Sequence, residues 1–201
     1  MTAIIKKVNP IIIYPACLKQ GKKQDCFNCE LQKKNLCSSP RSMCVKCYKG
    51  HPKGCPNYNM RKDCPPNELM LDQVFDMDKD FYVIITTFVL KDHINKMKEK
   101  HPDWSESMLR NSRYWQGTNR KEHKQDIKEF NLLYPNFSVT KSLEAMGTDV
   151  IATLKQIGIE LKFPVEELVY RVSLAGILLD SAHEYYVEEI GTYGERVLKR
   201  K

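Results

Sequence analysis

Two segments carry the densest apolar patterning in the chain. Residues 80–90, DFYVIITTFVL, are a run of β-branched and aromatic side chains that predicts a buried strand. Residues 168–180, LVYRVSLAGILLD, predict a second central strand in the same way. Between the two, apolar positions recur at helical spacing. KDHINKMKEKHPDWSESMLRNSRYWQGTNRKEHKQDIKEFNLLYP predicts two helices divided near His101-Pro102, the second capped by Ser105 or Asp103. SLEAMGTDVIATLKQIG predicts a further helix stopped by Gly158. PPNELMLDQVFDM predicts a helix start capped by Asn67, and SAHEYYVEEIGTYGERVLKRK a closing helix with a basic tail. Strands separated by helices and long loops imply an α+β (or α/β) domain on a small mixed sheet with flanking helices.

The first third of the chain differs in kind. Its apolar patch at Ile11–Ile13 is broken by Pro10 and Pro15 and lacks the long core of a secretory signal. No apolar run approaches the roughly 18 residues of a membrane span. The expectation is therefore a cytoplasmic protein with no membrane partner, in which thiols stay reduced. All eight cysteines lie at or before position 64, and residues 1–64 hold thirteen Lys/Arg against three Asp/Glu. Two compositions in one chain predict a basic Cys-rich module over residues 1–66, packed on an α+β domain over residues 67–201.

The cysteines are spaced as a repeat. Cys26-x2-Cys29-x7-Cys37 recurs 18 residues later as Cys44-x2-Cys47-x7-Cys55, with Cys17 ahead of the first unit and Cys64 behind the second. A Cys-x2-Cys turn presents two sulfurs to one ion, and eight thiolates make two sets of four, the number that a structural zinc or a [4Fe–4S] cluster takes. Free or disulfide-bonded cysteines are the plainer reading, but the doubled unit in a reducing compartment favours metal. Two pairings fit. The sets are sequential, Cys17/Cys26/Cys29/Cys37 and Cys44/Cys47/Cys55/Cys64, or cross-braced, with Cys26/Cys29 joined to Cys44/Cys47 and the other four together. The Cys55-Pro56 and Cys64-Pro65-Pro66 steps are those that close ferredoxin-type cluster loops, so iron–sulfur is favoured over Zn2+ for at least one site. The spacing of radical-SAM clusters is absent, and His51 within the second unit reads as a loop histidine.

With those residues in view, the chain resembles the uncharacterised predicted metal-binding protein family, domain of unknown function 2284. Cys44, Cys47, Cys55 and Cys64-Pro65-Pro66 look like that family's opening ligands, and KSLEAMGTDVIATLKQIGI is similar to its Pro-Ser-x-Glu-Ala-x-Gly-x-Asp-Val segment. The likeness covers about residues 40–180. It departs in one respect: the family's further cysteines precede the Glu-Ala-x-Gly segment, whereas here the extra cysteines, Cys17 to Cys37, lie upstream. The resemblance implies metal binding at Cys44, Cys47, Cys55 and Cys64 and supplies no reaction.

The function expected from these features is redox or sulfur-related chemistry at a cluster, or cluster-dependent structure. The alternative is a non-enzymatic zinc module or adaptor docking on nucleic acid or a nucleoprotein complex. Candidate anion contacts are Arg41, Lys46, Lys49, Lys53, Arg61 and Lys62 around the second unit, and Arg113, Trp115, Arg120 and Lys121 in the later basic, aromatic stretch. An amphipathic helix with a buried Tyr114 or Trp115 is the plainer reading of that stretch. No Gly-rich phosphate loop, His-Glu-x-x-His or Gly-x-Ser-x-Gly motif occurs, so no catalytic residue is assigned.

Overall fold

Alternation along residues 81–89 decides the architecture: Phe81, Val83 and Ile85 fall on one face of a strand, and Tyr82, Ile84 and Thr86 on the other. A computed structural model of the chain describes residues 3–19, 29–34, 36–47, 50–182, 185–190 and 195–200. The elements are β1 (Ile4–Val8), α1 (Ala16–Lys19), α2 (Glu30–Lys33), β2 (Phe81–Val89), α3 (Leu90–Lys100), α4 (Glu106–Leu109), α5 (Gln116–Leu133), β3 (Ser138–Thr140), α6 (Val150–Lys155), β4 (Leu168–Gly176), β5 (Tyr185–Ile190) and β6 (Glu195–Arg200). Short 3-10 turns cover Pro40–Val45, Leu71–Gln73 and Ser112–Tyr114.

The main sheet has the order β1-β2-β4-β3 and every pairing in it is antiparallel. The fold is therefore α+β, and the sheet is antiparallel rather than mixed. One face packs Phe81, Val83, Ile85 and Leu174 against Leu71, Val74, Phe75, Leu143, Met146 and Leu154. On the other, Ile84 and Ala175 meet Ile127 and Phe130 of α5 together with Val139. A third cluster, Leu90, Ile94 and Leu109, closes the end near α3 and α4. β1 comes from the first 66 residues, so the chain enters the sheet, leaves it through the cysteines and returns at Leu71. Among the described residues no helix is long and apolar enough to cross a membrane.

Several expected helices take another form. Residues 67–77 make only the Leu71–Gln73 turn, because their backbone is claimed by distant segments: Leu71 N donates to Met146 O (2.9 Å), Asp76 N to Ile177 O (2.8 Å), and Val74 O accepts from Leu179 N (2.9 Å). The second of the two middle helices divides into α4, a 3-10 turn and α5, with Ser105 Oγ accepting from Met108 N as its cap. The Glu-Ala-x-Gly stretch is a series of turns, and α6 starts only after Asp149, whose carboxylate accepts from Ala152 N. The closing helix is instead the β5–β6 hairpin, with Tyr185 opposite Arg200 and Ile190 opposite Glu195. Tyr, Val and Ile favour extended backbone, and the backbone pairing of β5 with β6 outweighs the helix preference of the glutamates.

Candidate metal centre

The second cysteine unit begins on the Pro40–Val45 turn, which carries Cys44, and continues to Cys47 at the surface. The chain then loops back through Gly54. At φ +79°, a Cβ on Gly54 would stand 2.6 Å from Cys44 O and 2.9 Å from Val45 Cα. The two strands of the loop thus cross at a distance that only glycine permits. Cys55 N donates to Cys44 O at 2.7 Å and pins the crossing. Cys64 follows, its carbonyl accepting from Asn67 N (3.0 Å) and Glu68 N (3.1 Å). Burial pushes the Cys64 thiol above its ordinary pKa, Asp63 adds to this, Arg61 opposes it, and Cys55 is near enough to raise it further. Backbone contact thus holds Cys55 against Cys44, and Cys64 lies near enough to Cys55 for each to disfavour the other's thiolate.

Arg41 closes that lobe from within. It is 2% exposed; its Nη1 donates to Met70 Sδ (3.0 Å) and its Nη2 to Glu68 O (2.7 Å) and Pro66 O (3.2 Å). The expectation that Arg41 contacts an external anion is corrected by this: its donors bridge the beginning and end of the cysteine unit. Of the remaining cations there, Lys53, Arg61 and Lys62 are exposed and Lys46 half-exposed, while Lys49 lies outside the described residues. Arg61 forms a paired contact with Asp63, Nε to Oδ1 and Nη2 to Oδ2, each 3.0 Å.

The first cysteine unit is less completely placed. Cys17 sits half-buried on α1, Cys29 half-buried before α2, and Cys37 is buried; Cys26 lies outside the described residues. Ser39 Oγ donates to Ile13 O at 2.7 Å, which ties the turn after Cys37 to the segment leading into Cys17. The seven described cysteines are free thiols, and among the described residues no three His, Cys, Asp or Glu side chains gather into a metal-holding group.

In the later stretch, Arg113, Arg120 and Lys121 are exposed. Trp115 is not a free platform for bases. Its ring stacks on Phe88 (centroids 5.3 Å apart) and its Nε1 donates to Arg110 O at 3.2 Å, so it belongs to the apolar cluster at that end.

Sequence reasoning passed over a second polar assembly, beneath α5. His123 is 2% exposed; its Nδ1 bonds Thr86 Oγ1 and its Nε2 bonds Ser173 Oγ, each at 2.7 Å, and Thr86 Oγ1 also donates to Asp126 Oδ2. Burial, with Arg171 and Lys141 nearby, lowers the His123 pKa to about 3, while burial raises that of Asp126. The signal was present in the spacing: Asn119, His123 and Asp126 recur at i, i+4 and i+7, the stripe α5 turns toward the sheet. No known protein family matches the chain, and neither a curated protein nor a solved structure is similar to it.

Proposed function

We propose that the lobe formed by residues 37–68 is a thiolate metal centre held by Cys44, Cys47, Cys55 and Cys64, with a [4Fe–4S] cluster as its occupant. Cys17, Cys26, Cys29 and Cys37 make the second set. The observation that carries this reading is the glycine-only crossing, where Cys55 N meets Cys44 O at 2.7 Å and the Cys-x2-Cys turn is held against the third cysteine. A loop pinned this way holds Cys44 and Cys55 close, and the binding free energy would supply the closure that brings four thiolates to one ion or cluster. The group would supply redox or sulfur-related chemistry, or hold the lobe in shape. The Cys55 N–Cys44 O bond supports sequential sets over cross-braced ones, since only the sequential pairing places Cys44 and Cys55 together; the tie between Ser39 and Ile13 fits either.

Anaerobic purification followed by metal, sulfide and visible-spectrum measurements tests the reading. Iron with sulfide and a broad absorbance shoulder at about 400 nm is the expected result. Colourless protein with bound zinc would keep the centre and replace the cluster. Protein without stoichiometric metal would end the proposal. Cys44→Ser and Cys64→Ser should deplete one centre together, and Cys17→Ser and Cys37→Ser the other.

Lys46, Lys53, Arg61 and Lys62 around the second unit would face an anionic partner in the cytoplasm, nucleic acid being the polyanion that such a lobe meets most often. Binding that weakens steeply with salt in the metal-loaded protein is the expected sign.

A further inference from the structure

One stretch of the main sheet has a strand on one side only. β2 pairs with β4 from Leu168 to Ala175, whereas β3 meets it only at Leu174, Ala175 and Gly176. Glu167 O accepts from Leu90 N at 2.7 Å, so that carbonyl turns toward the β2 side. The trans peptide plane then turns Leu168 N–H the other way, and strand alternation does the same for Tyr170 and Val172. The outward N–H and C=O groups of these three residues have no backbone partner among the described residues. They make an open edge next to the end of β3.

Edge strands are ordinarily protected against pairing. β1, at one margin of the sheet, carries exposed Lys6 and Lys7, and lysine on an edge discourages a further strand. The open edge of β4 reads LVYRV over residues 168–172, β-branched and aromatic, with one charge and no proline. There is room beside it. A cavity of about 390 Å³ lies against Leu168 and Tyr170 and is completed by Glu160, Lys162, Glu166 and Glu167. Its charge balance is negative, three carboxylates against one ammonium. Lys91 meets Glu167 at 3.4 Å, while Glu160 and Glu166 are exposed.

We propose that this edge takes an extended basic segment of a partner protein as an added strand, with a Lys or Arg side chain seated in the cavity. Backbone bonds to Leu168, Tyr170 and Val172 supply sequence-independent affinity, and the cavity selects the side chain. Leu168 and Tyr170 are two apart and project to one face of β4, so they give the stem of a long cationic side chain an apolar wall. Glu160 and Glu166 face its charge. Side chains two apart on the added strand share that face, so the partner's basic positions alternate with others.

Fluorescence anisotropy of labelled acetyl-Thr-Lys-Val-Lys-Val-Lys-Thr-amide with the full-length protein tests the site. The peptide should bind saturably at concentrations up to about 1 mM, and its counterpart with Glu for Lys at least about tenfold more weakly. N-methylation of the lysine amides or of the valine amides separates the two strand directions, and one of the two sets should weaken binding by about tenfold or more. Glu160→Lys with Glu166→Lys, both at exposed positions, should weaken it by a similar factor. Lys162→Glu should tighten it. No saturable binding, binding unchanged in the double variant, or binding unchanged in both methylated peptides would overturn the proposal. Spermidine binding as tightly as the peptide would reduce the site to a cavity for a free cation. Sedimentation showing self-association that the peptide cannot reverse would give the edge to a second copy, and either result overturns the added strand of a partner.

Discussion

Arg41 and His123 are two polar side chains held almost wholly inside the protein, and their environments predict different behaviour. Arg41→Ala would leave the carbonyls of Pro66 and Glu68 without their donor and should cost about 1–3 kcal/mol. The loss should read as a lower denaturant concentration for protease attack on residues 41–68. Arg41→Lys should restore little, because one ammonium cannot span Met70 and two carbonyls as a planar fork does. An Arg41→Ala protein as stable as the parent, changed only in polyanion affinity, would refute the internal role. His123 titrates at 6.5 when unfolded and at about 3 when folded. Between these values the unfolded chain binds a proton that the folded chain refuses. Its contribution is therefore fully present above about pH 6.5 and is lost progressively as pH falls toward 3. Asp126 has the opposite sign: its raised folded-state pKa costs stability as pH rises past its ordinary value of 3.8. The melting temperature should fall between pH 6.5 and 4.5, and His123→Gln, though less stable at pH 7, should show a flatter decline. Parallel declines in the two proteins would mean that His123 is not the titrating group.

At the scale of elements, the cysteine loop depends on one backbone crossing. Gly54→Ala would press a methyl group into Cys44 O and Val45 while holding an L residue at φ +79°. Steric strain and the left-handed backbone should together destabilise the loop by about 1–3 kcal/mol. The variant should lose metal from the Cys44/Cys47/Cys55/Cys64 set while the melting of the sheet stays put. Full metal content in Gly54→Ala would show that the crossing does not organise the ligands. The cysteine repeat was legible because ligand spacing is a local property. β2 and β4 were legible for a similar reason, since strands covered on both faces read as continuous apolar runs. What escaped depends on distant partners. Leu71 lies in a helix-like pattern but gives its N–H to Met146, and the glutamates of β5 are held in a strand by β6. Arg41 reads as a surface group until Met70 is placed against it, whereas the stacking of Trp115 on Phe88 follows the plainer reading of its stretch. No local pattern announces such contacts.

Across the whole molecule, apolar burial is divided unequally. The sheet and its helices hold nearly all of the buried apolar side chains, from Met70 through Ala175. Between residues 9 and 69, the buried apolar side chains among the described residues are Cys37, Tyr58 and two prolines, Pro15 and Pro65. A segment of that length with so little core falls short of the apolar burial that offsets its chain entropy. Arg41 fastens its ends, and the Cys55–Cys44 bond fastens its middle, but these are a few bonds of about 1 kcal/mol each. On the proposed reading metal ligation supplies the remainder, since thiolate binding free energy becomes folding free energy where no site pre-exists in the unfolded chain. A strong chelator should therefore unfold the lobe and spare the sheet. Limited proteolysis with mass spectrometry, before and after chelation, should show new cleavage within residues 37–68 and continued protection of residues 81–176. Restoring the metal under reducing conditions should restore protection. If metal analysis shows the ions gone while residues 37–68 resist protease as before, the lobe folds without them and its cysteines have another use.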